Sequence, residues 1–383
     1  MMVLASSRRS SPPAIAVSPT LPAMDDTGGD PRWRDLADIL VNHAVRVRPG
    51  DRVLVAMREP ETFPLAAAVH AAAVRAGGYP QTLLTAAAFD RALLRDASDA
   101  DLAREPGLEL LAYEWADAAI VLRGARNPHE FSDIPAPRLA LHRAAQGAIS
   151  AIRTASTRWT LVRVPDESFA QQAGMPLDAA MAFFFAACLR DWETGARGWR
   201  AIAGRLAAGA EVAISGPGVD LRFSTAGRRW VVGDGRINIP DGEIYTAPVD
   251  DSLEGTIAFD WPQWWSGQAV EGIRLRFRGG AVVEAAASRG EEHLLAALAM
   301  DDGARRCGEI GFGVNEALTR PVNDPLFDEK IAGTMHLALG RAYAECGGVN
   351  RSALHWDLVR DLRQGGRVTV DGRTVFAAGG FTG

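Results

Sequence analysis

Over residues 33–164 the apolar residues switch repeatedly between helical spacing and the continuous runs of a buried strand. Helical spacing over residues 33–45 gives way, after the Pro49-Gly50 turn signal, to the strand-like RVLVAM at 52–57. An Ala-rich helix over 64–76, stopped by Gly77-Gly78, precedes a second strand at 81–85. AAIVL at 118–122 and WTLVRV at 159–164 are further buried-strand candidates with helical segments between them. Strands joined by helical crossovers pair in parallel, with helices on the faces of the sheet. Residues 31–205 are therefore expected to form an α/β domain with a mostly parallel sheet.

Residues 176–206 read as one or two bridging helices, and from Glu211 the texture changes. EVAISGP, DLRFS, RWVVG, EGTIAFD, GIRLRFRGG and AVVEAAAS alternate apolar and polar residues between glycine turns, the pattern of antiparallel strands. Helices are expected over 291–300 and 329–343, and a hairpin over 367–376 about Asp371-Gly372. A chain of 383 residues exceeds what one core usually organises, so residues 206–383 are expected to be a separate α+β domain with largely antiparallel strands. Residues 1–30, rich in Ser and Pro without apolar periodicity, read as a disordered tail, with Met24 as an alternative start.

Several function classes lose support at once. No glycine fingerprint for a dinucleotide and no GxxxxGK[ST] phosphate loop follows any strand. A net charge of −6 offers no basic patch for nucleic acid, and no apolar stretch is long enough to span a bilayer. Cys188, Cys307 and Cys346 are odd in number, far apart and without CxxC spacing. They suit a reducing cytoplasm and exclude a zinc ribbon. Neither a G-x-S-x-G elbow nor HExxH occurs.

The chemistry concentrates near the C-terminus. His355-Trp356-Asp357 lies in a strand-like segment, whose period of two points the imidazole and the carboxylate to one face. Glu329, His336 and Tyr343 recur every seven positions, nearly two helical turns, and would share one stripe of the helix expected over 329–343. A core helix whose His and Tyr satisfy buried partners is the competing explanation. Glu243 and Glu309 are each followed by apolar residues, where a carboxylate is costly unless paired or metal-bound. Helix capping, or ion pairing with Arg305 and Arg306, is the alternative there. Carboxylates with one or two imidazoles suit hard or borderline divalent ions such as Zn²⁺, Co²⁺, Mn²⁺ or Mg²⁺.

In order, GPGVDLRF, NIPDGEIYTAP, EGTIAFD, DDGARRCGEIG, FDEK, the HLALGRAY segment and HWD resemble the thermophilic-type metallo-aminopeptidases, the aminopeptidase T and aminopeptidase S family. The N-terminal LADILVNHAVRVRPGDRVLV is similar to that family's opening helix, turn and first strand. The resemblance implies Glu243, Glu309, Glu329, His336, His355 and Asp357 as ligands of two divalent ions, with Glu309 bridging. It implies Tyr343 as the residue that stabilises the tetrahedral intermediate, and a homodimer as the assembly. KIAGTM between Glu329 and His336, a shortened segment before His355, and Asp241 in NIPDGE depart from the pattern. The Gly333-Thr334-Met335-His336 variant is similar to a divergent branch labelled leucyl aminopeptidase, which adjoins the 2,5-dihydroxypyridine 5,6-dioxygenases.

The expected function is thus removal of N-terminal residues from peptides by a metal-activated water. The alternative is a mononuclear Fe(II) ring-cleaving dioxygenase using His336, His355 and one carboxylate; a non-catalytic, metal-stabilised protein is a third class. Trp261, Trp264 and Trp265 in DWPQWWSG are expected in an exposed loop, as a contact surface or a lid.

Overall fold

The computed structural model describes residues 30–265 and 267–382, so the expected tail lies outside the described residues apart from Asp30. Helix α1 (Arg32–Asp38) buries Trp33, Leu36 and Ala37, the face its i, i+3, i+4 spacing sets, and runs on as a π-turn over Ile39–Ala44. Strand β1 (Arg52–Arg58) is buried along five consecutive residues. Helix α2 (Phe63–Arg75) packs on it and leads to β2 (Tyr79–Thr85). Helices α3 (Ala87–Asp96), α4 (Asp99–Leu102) and α5 (Gly107–Trp115) precede β3 (Ala118–Arg123), and α6 (Ala136–Ser156) precedes β4 (Arg158–Arg163). These four strands pair in parallel in the order β2-β1-β3-β4, as the alternating pattern requires.

Helices α7 (Glu167–Gln172), α8 (Leu177–Cys188) and α9 (Trp192–Leu206) bridge to the second half. There β5 (Glu211–Gly216), β6 (Val219–Ser224), β7 (Val231–Val232), β8 (Asn238–Ile239) and β9 (Glu243–Thr246) follow in turn. Next come β10 (Glu254–Ala258), β11 (Gln263–Trp265), β12 (Gln268–Val270), β13 (Arg274–Arg278) and β14 (Ala281–Ala286). Helix α10 (Glu291–Leu298), β15 (Cys307–Gly313), α11 (Pro325–Asp328), β16 (Thr334–Gly340) and β17 (His355–Asp361) lead to β18 (Arg367–Val370), β19 (Arg373–Ala377) and β20 (Gly380–Phe381). Two antiparallel sheets result, β14-β13-β10-β6-β5-β18-β19-β20 and β17-β16-β15-β9-β7. The short β8 returns to pair in parallel with β4, so the first sheet ends on a strand from beyond residue 205. One apolar core runs from Trp33 to Phe376 through both halves.

One expected element is wrong. Residues 329–343 form no helix; Glu329 closes the short α11, and residues 334–340 are strand β16, central in its sheet. Gly333 and Gly340 adopt φ of +85° and +98°, left-handed values outside an α-helix. TMHLALG also alternates as a strand does, sending Met335, Leu337 and Leu339 into the core at zero exposure. Burying each stabilises the fold by about 1.5–3 kcal/mol, enough to override helix propensity. The tryptophan segment departs from expectation too: it is the hairpin β11–β12, half-buried, with Trp265 5.8 Å from Trp356 and Trp261 beneath Arg363.

Candidate metal centre

The register of the five-stranded sheet sorts its side chains into two faces. Glu309 pairs with Ala338 and Ala338 with Asp357; Gly311 pairs with both His336 and Tyr245; Gly340 pairs with His355, and Gly313 with Glu243. Residues directly opposite share a face, as do residues two apart on one strand. Glu243, Tyr245, Glu309, His336, His355 and Asp357 therefore project from one face of four adjacent strands. The other face carries Ile244, Ile310, Phe312, Met335, Leu337, Leu339, Trp356 and Leu358, all buried in the core. Gly311, Gly313, Ala338 and Gly340 stand between the functional side chains and leave them room. A methyl group on Gly311 would overlap Nε2 and Cε1 of His336. A register shift between Cys307 and Glu309 marks a bulge at Gly308 that aims Glu309.

Two donor groups result. Glu243, Glu309 and His336 bring ligand atoms together, and so do Glu309, His355 and Asp357; Glu309 belongs to both. His336 Nε2 lies 3.3 Å from Glu309 Oε1 and 3.3 Å from Glu243 Oε2. His355 Nε2 lies 3.6 Å from Glu309 Oε2 and 3.6 Å from Asp357 Oδ2. Glu329 joins from the end of α11, paired with the wholly buried Lys330, whose Nζ also lies 3.2 Å from Glu243 Oε1. The alternative partners for Glu309 do not reach it: Arg305 and Arg306 donate to the carbonyls of Val282 and Asp250. Tyr343, three residues beyond the end of β16, packs on the His355 ring at 4.9 Å and on Tyr245 at 6.0 Å.

Burial sets the electrostatics. Desolvation pushes the Glu309 carboxyl up to about 7, with the neighbouring Asp357 adding to it and His336 opposing. Glu243 is raised for the same reason, against the pull of Lys330. For His336 desolvation disfavours the cation, yet the facing carboxylates of Glu309, Glu243 and Glu329 win and lift it to about 9. Desolvation raises Tyr343, and the nearby Glu309 adds to the rise, so its phenol keeps its proton.

These residues fit divalent cations. Carboxylates packed beside each other and beside imidazoles, with few exceptions buried, need positive charge. Glu309 Oε2 is buried with no hydrogen-bond partner among the described residues. Both imidazoles are oriented for ligation. His336 Nδ1 lies 3.2 Å from the Glu329 carbonyl and His355 Nδ1 2.9 Å from the Arg341 carbonyl. A carbonyl only accepts, so Nδ1 carries a proton in each ring and Nε2, the atom that would ligate once deprotonated, faces the carboxylates.

A cavity of about 600 Å³ opens onto this face. Glu243, Glu309, Glu329, Tyr343, His355 and Asp357 line one wall, and Arg153 and Trp159 of the parallel-sheet half line another. His336 lies beneath that surface at zero exposure. All six expected ligands and Tyr343 thus converge, although three of them come from a strand and its flanks rather than a helix.

The sequence reading did not place Lys330 or Asp241 in the site. Asp241 accepts from the backbone N–H of Gly235 and Gly242, and burial lifts its carboxyl to about 7. The signal available was the run Asp328-Glu329-Lys330, three charges beside Ile331 in a segment that is buried throughout.

The chain resembles known proteins in sequence and in fold. Aminopeptidase T of Thermus aquaticus is 33% identical over 61% of this chain and 65% of its own length. Aminopeptidase 2 of Geobacillus stearothermophilus is 28% identical over 90% of this chain and 96% of its own. The solved structure of wild-type AmpT from Thermus thermophilus superposes with a TM-score of 0.81 at 25% identity, covering 92% of this chain and 99% of that one. A 2,5-dihydroxypyridine dioxygenase from Pseudomonas putida covers 91% of this chain and 96% of its own, with a TM-score of 0.58 at 16% identity, a likeness of fold alone. Residues 30–381 match the family described as thermophilic metalloprotease (M29), and over that span this chain belongs to it, a family of metallo-aminopeptidases.

Proposed function

We propose that this chain removes N-terminal residues from peptides at a centre of two divalent ions held by Glu243, Glu309, Glu329, His336, His355 and Asp357. The observation that carries the two-ion reading is Glu309, which is shared by both donor groups and keeps one oxygen unpartnered among the described residues. A mononuclear iron centre needs one carboxylate beside its imidazoles, and here Glu243, Glu309 and Asp357 all crowd them. When bound, Zn²⁺, Co²⁺, Mn²⁺ or Mg²⁺ would supply Lewis acidity and a more acidic water.

The chain's own residues supply the rest. The backbone carbonyls behind His336 and His355 fix the ring tautomers. Tyr343, kept protonated, donates to the oxyanion that develops as the peptide carbonyl is attacked. Glu345, held by the Tyr245 hydroxyl at the cavity wall, favours a cationic amino terminus there. The expected division into domains near residue 205, a homodimer and a cytoplasmic location belong to the same reading. The three buried, unpaired cysteines are consistent with a reducing compartment. Elemental analysis with hydrolysis of an aminoacyl-p-nitroanilide tests the function. About two ions per chain and chelator-sensitive turnover are expected; one iron and no peptidase activity would overturn it.

A further inference from the structure

The wall of the cavity that belongs to the parallel-sheet half has a composition that metal binding does not explain. Ser150, Arg153 and Thr154 of α6 all line it, spaced i, i+3, i+4 so that one helical face looks into the cavity. The Arg153 guanidinium carbon lies 4.2 Å from the centroid of the Trp159 ring, a stacking that fixes the plane of its donors. Among the described residues its Nε is buried without a hydrogen-bond partner. Glu109 and the buried Tyr113 hydroxyl both feel its charge, but Glu109 is already paired with Arg58 and a phenol leaves the positive charge without a counter-ion.

A stacked guanidinium with an unpartnered donor, on a residue that lines a cavity of about 600 Å³, has the chemistry to receive a carboxylate. We infer that Arg153 binds a carboxylate of the substrate downstream of the scissile bond, making short acidic-ended peptides the substrate class of this site. This rests on the aminopeptidase reading. The α-carboxylate of a di- or tripeptide and an acidic side chain at the second position offer the same chemistry.

Three substrates separate these sources on the metal-loaded enzyme: Ala-Gly-Gly, Ala-Gly-Gly-amide and Ala-Glu-Gly-amide. A charge-assisted pair should favour the carboxylate-bearing substrate by roughly 10- to 100-fold in kcat/KM, chiefly through KM. Preference for the free acid assigns the α-carboxylate, and preference for the glutamyl amide assigns the side chain. In Arg153→Gln that ratio should collapse toward one, and Arg153→Lys should recover part of it. Because the readout is a ratio within each variant, a general loss of fold or metal leaves it unmoved. Equal turnover of all three by the wild type overturns the inference while leaving the peptidase intact. So does a ratio that survives in Arg153→Gln, or that is lost instead in Arg341→Gln, the other arginine lining the cavity. No turnover of any peptide removes the aminopeptidase reading and the inference with it.

Discussion

Gly311 lies directly across from His336 in the neighbouring strand, and the imidazole occupies the space where a side chain at 311 would stand. The sheet makes its candidate metal face by omission: the histidine fits because its cross-strand partner has no Cβ.

Gly311→Ala should therefore push the His336 ring off its carbonyl partner and out of reach of Glu243 and Glu309. Close packing leaves a buried ring nowhere to relax, so overpacking costs about 1–3 kcal/mol. Lower metal content and a large loss of activity are expected. A variant that retains full metal occupancy by elemental analysis and wild-type turnover would show that the ring is not so confined.

Tyr343→Phe should lower kcat by about 10²–10³ with little change in KM, because the phenol's bond to the oxyanion exists mainly in the transition state. Metal content should hold, since the ring still packs on His355 and Tyr245. Steady-state kinetics of Tyr343→Phe beside His336→Ala decides the matter. Full activity in the first with none in the second makes Tyr343 packing alone.

Lys330→Met should destabilise the metal-free chain by about 3–5 kcal/mol, because it leaves buried carboxylates of Glu243 and Glu329 without their ammonium. Metal ions would restore part of that charge, so the loss in melting temperature should be smaller in the metal-loaded protein. Equal losses with and without metal would indicate that Lys330 acts through packing only.

Metal uptake should release protons and tighten as pH rises. Glu309 and His336 hold their protons more firmly in the fold, to about 7 and about 9, than the ordinary 4.5 and 6.5. In the metal-free chain their stabilisation is complete below those ordinary values. It fades from 4.5 towards 7 for Glu309, and from 6.5 towards 9 for His336. Ligation requires the deprotonated forms, so at pH 7 binding displaces protons. Calorimetric titration of Zn²⁺ in buffers of different ionisation enthalpy measures them. An observed enthalpy independent of the buffer would refute the coupling.

Local pattern was enough for much of this protein. The period changes from β1 to β4 predicted a parallel sheet, because a strand followed by a helix must cross over to continue. His355 and Asp357 of HWD were legible as two same-face side chains, because a strand's period of two needs no tertiary information. Glu329, His336 and Tyr343 were correctly grouped on a mistaken helix. A spacing of seven fits two helical turns, and the alternation of Met335, Leu337 and Leu339 competes with it in the same residues. What decided for the strand was pairing with β15 and β17 on both sides, a long-range contact that spacing does not encode. The same pairing brought Glu309 between two donor groups, set Gly311 under His336 and carried Lys330 into the acids. Sequence determined which residues could ligate and which segments could be strands. Only the tertiary structure decided the register, and in an antiparallel sheet register sets which side chains share a face and which small residues make room for them.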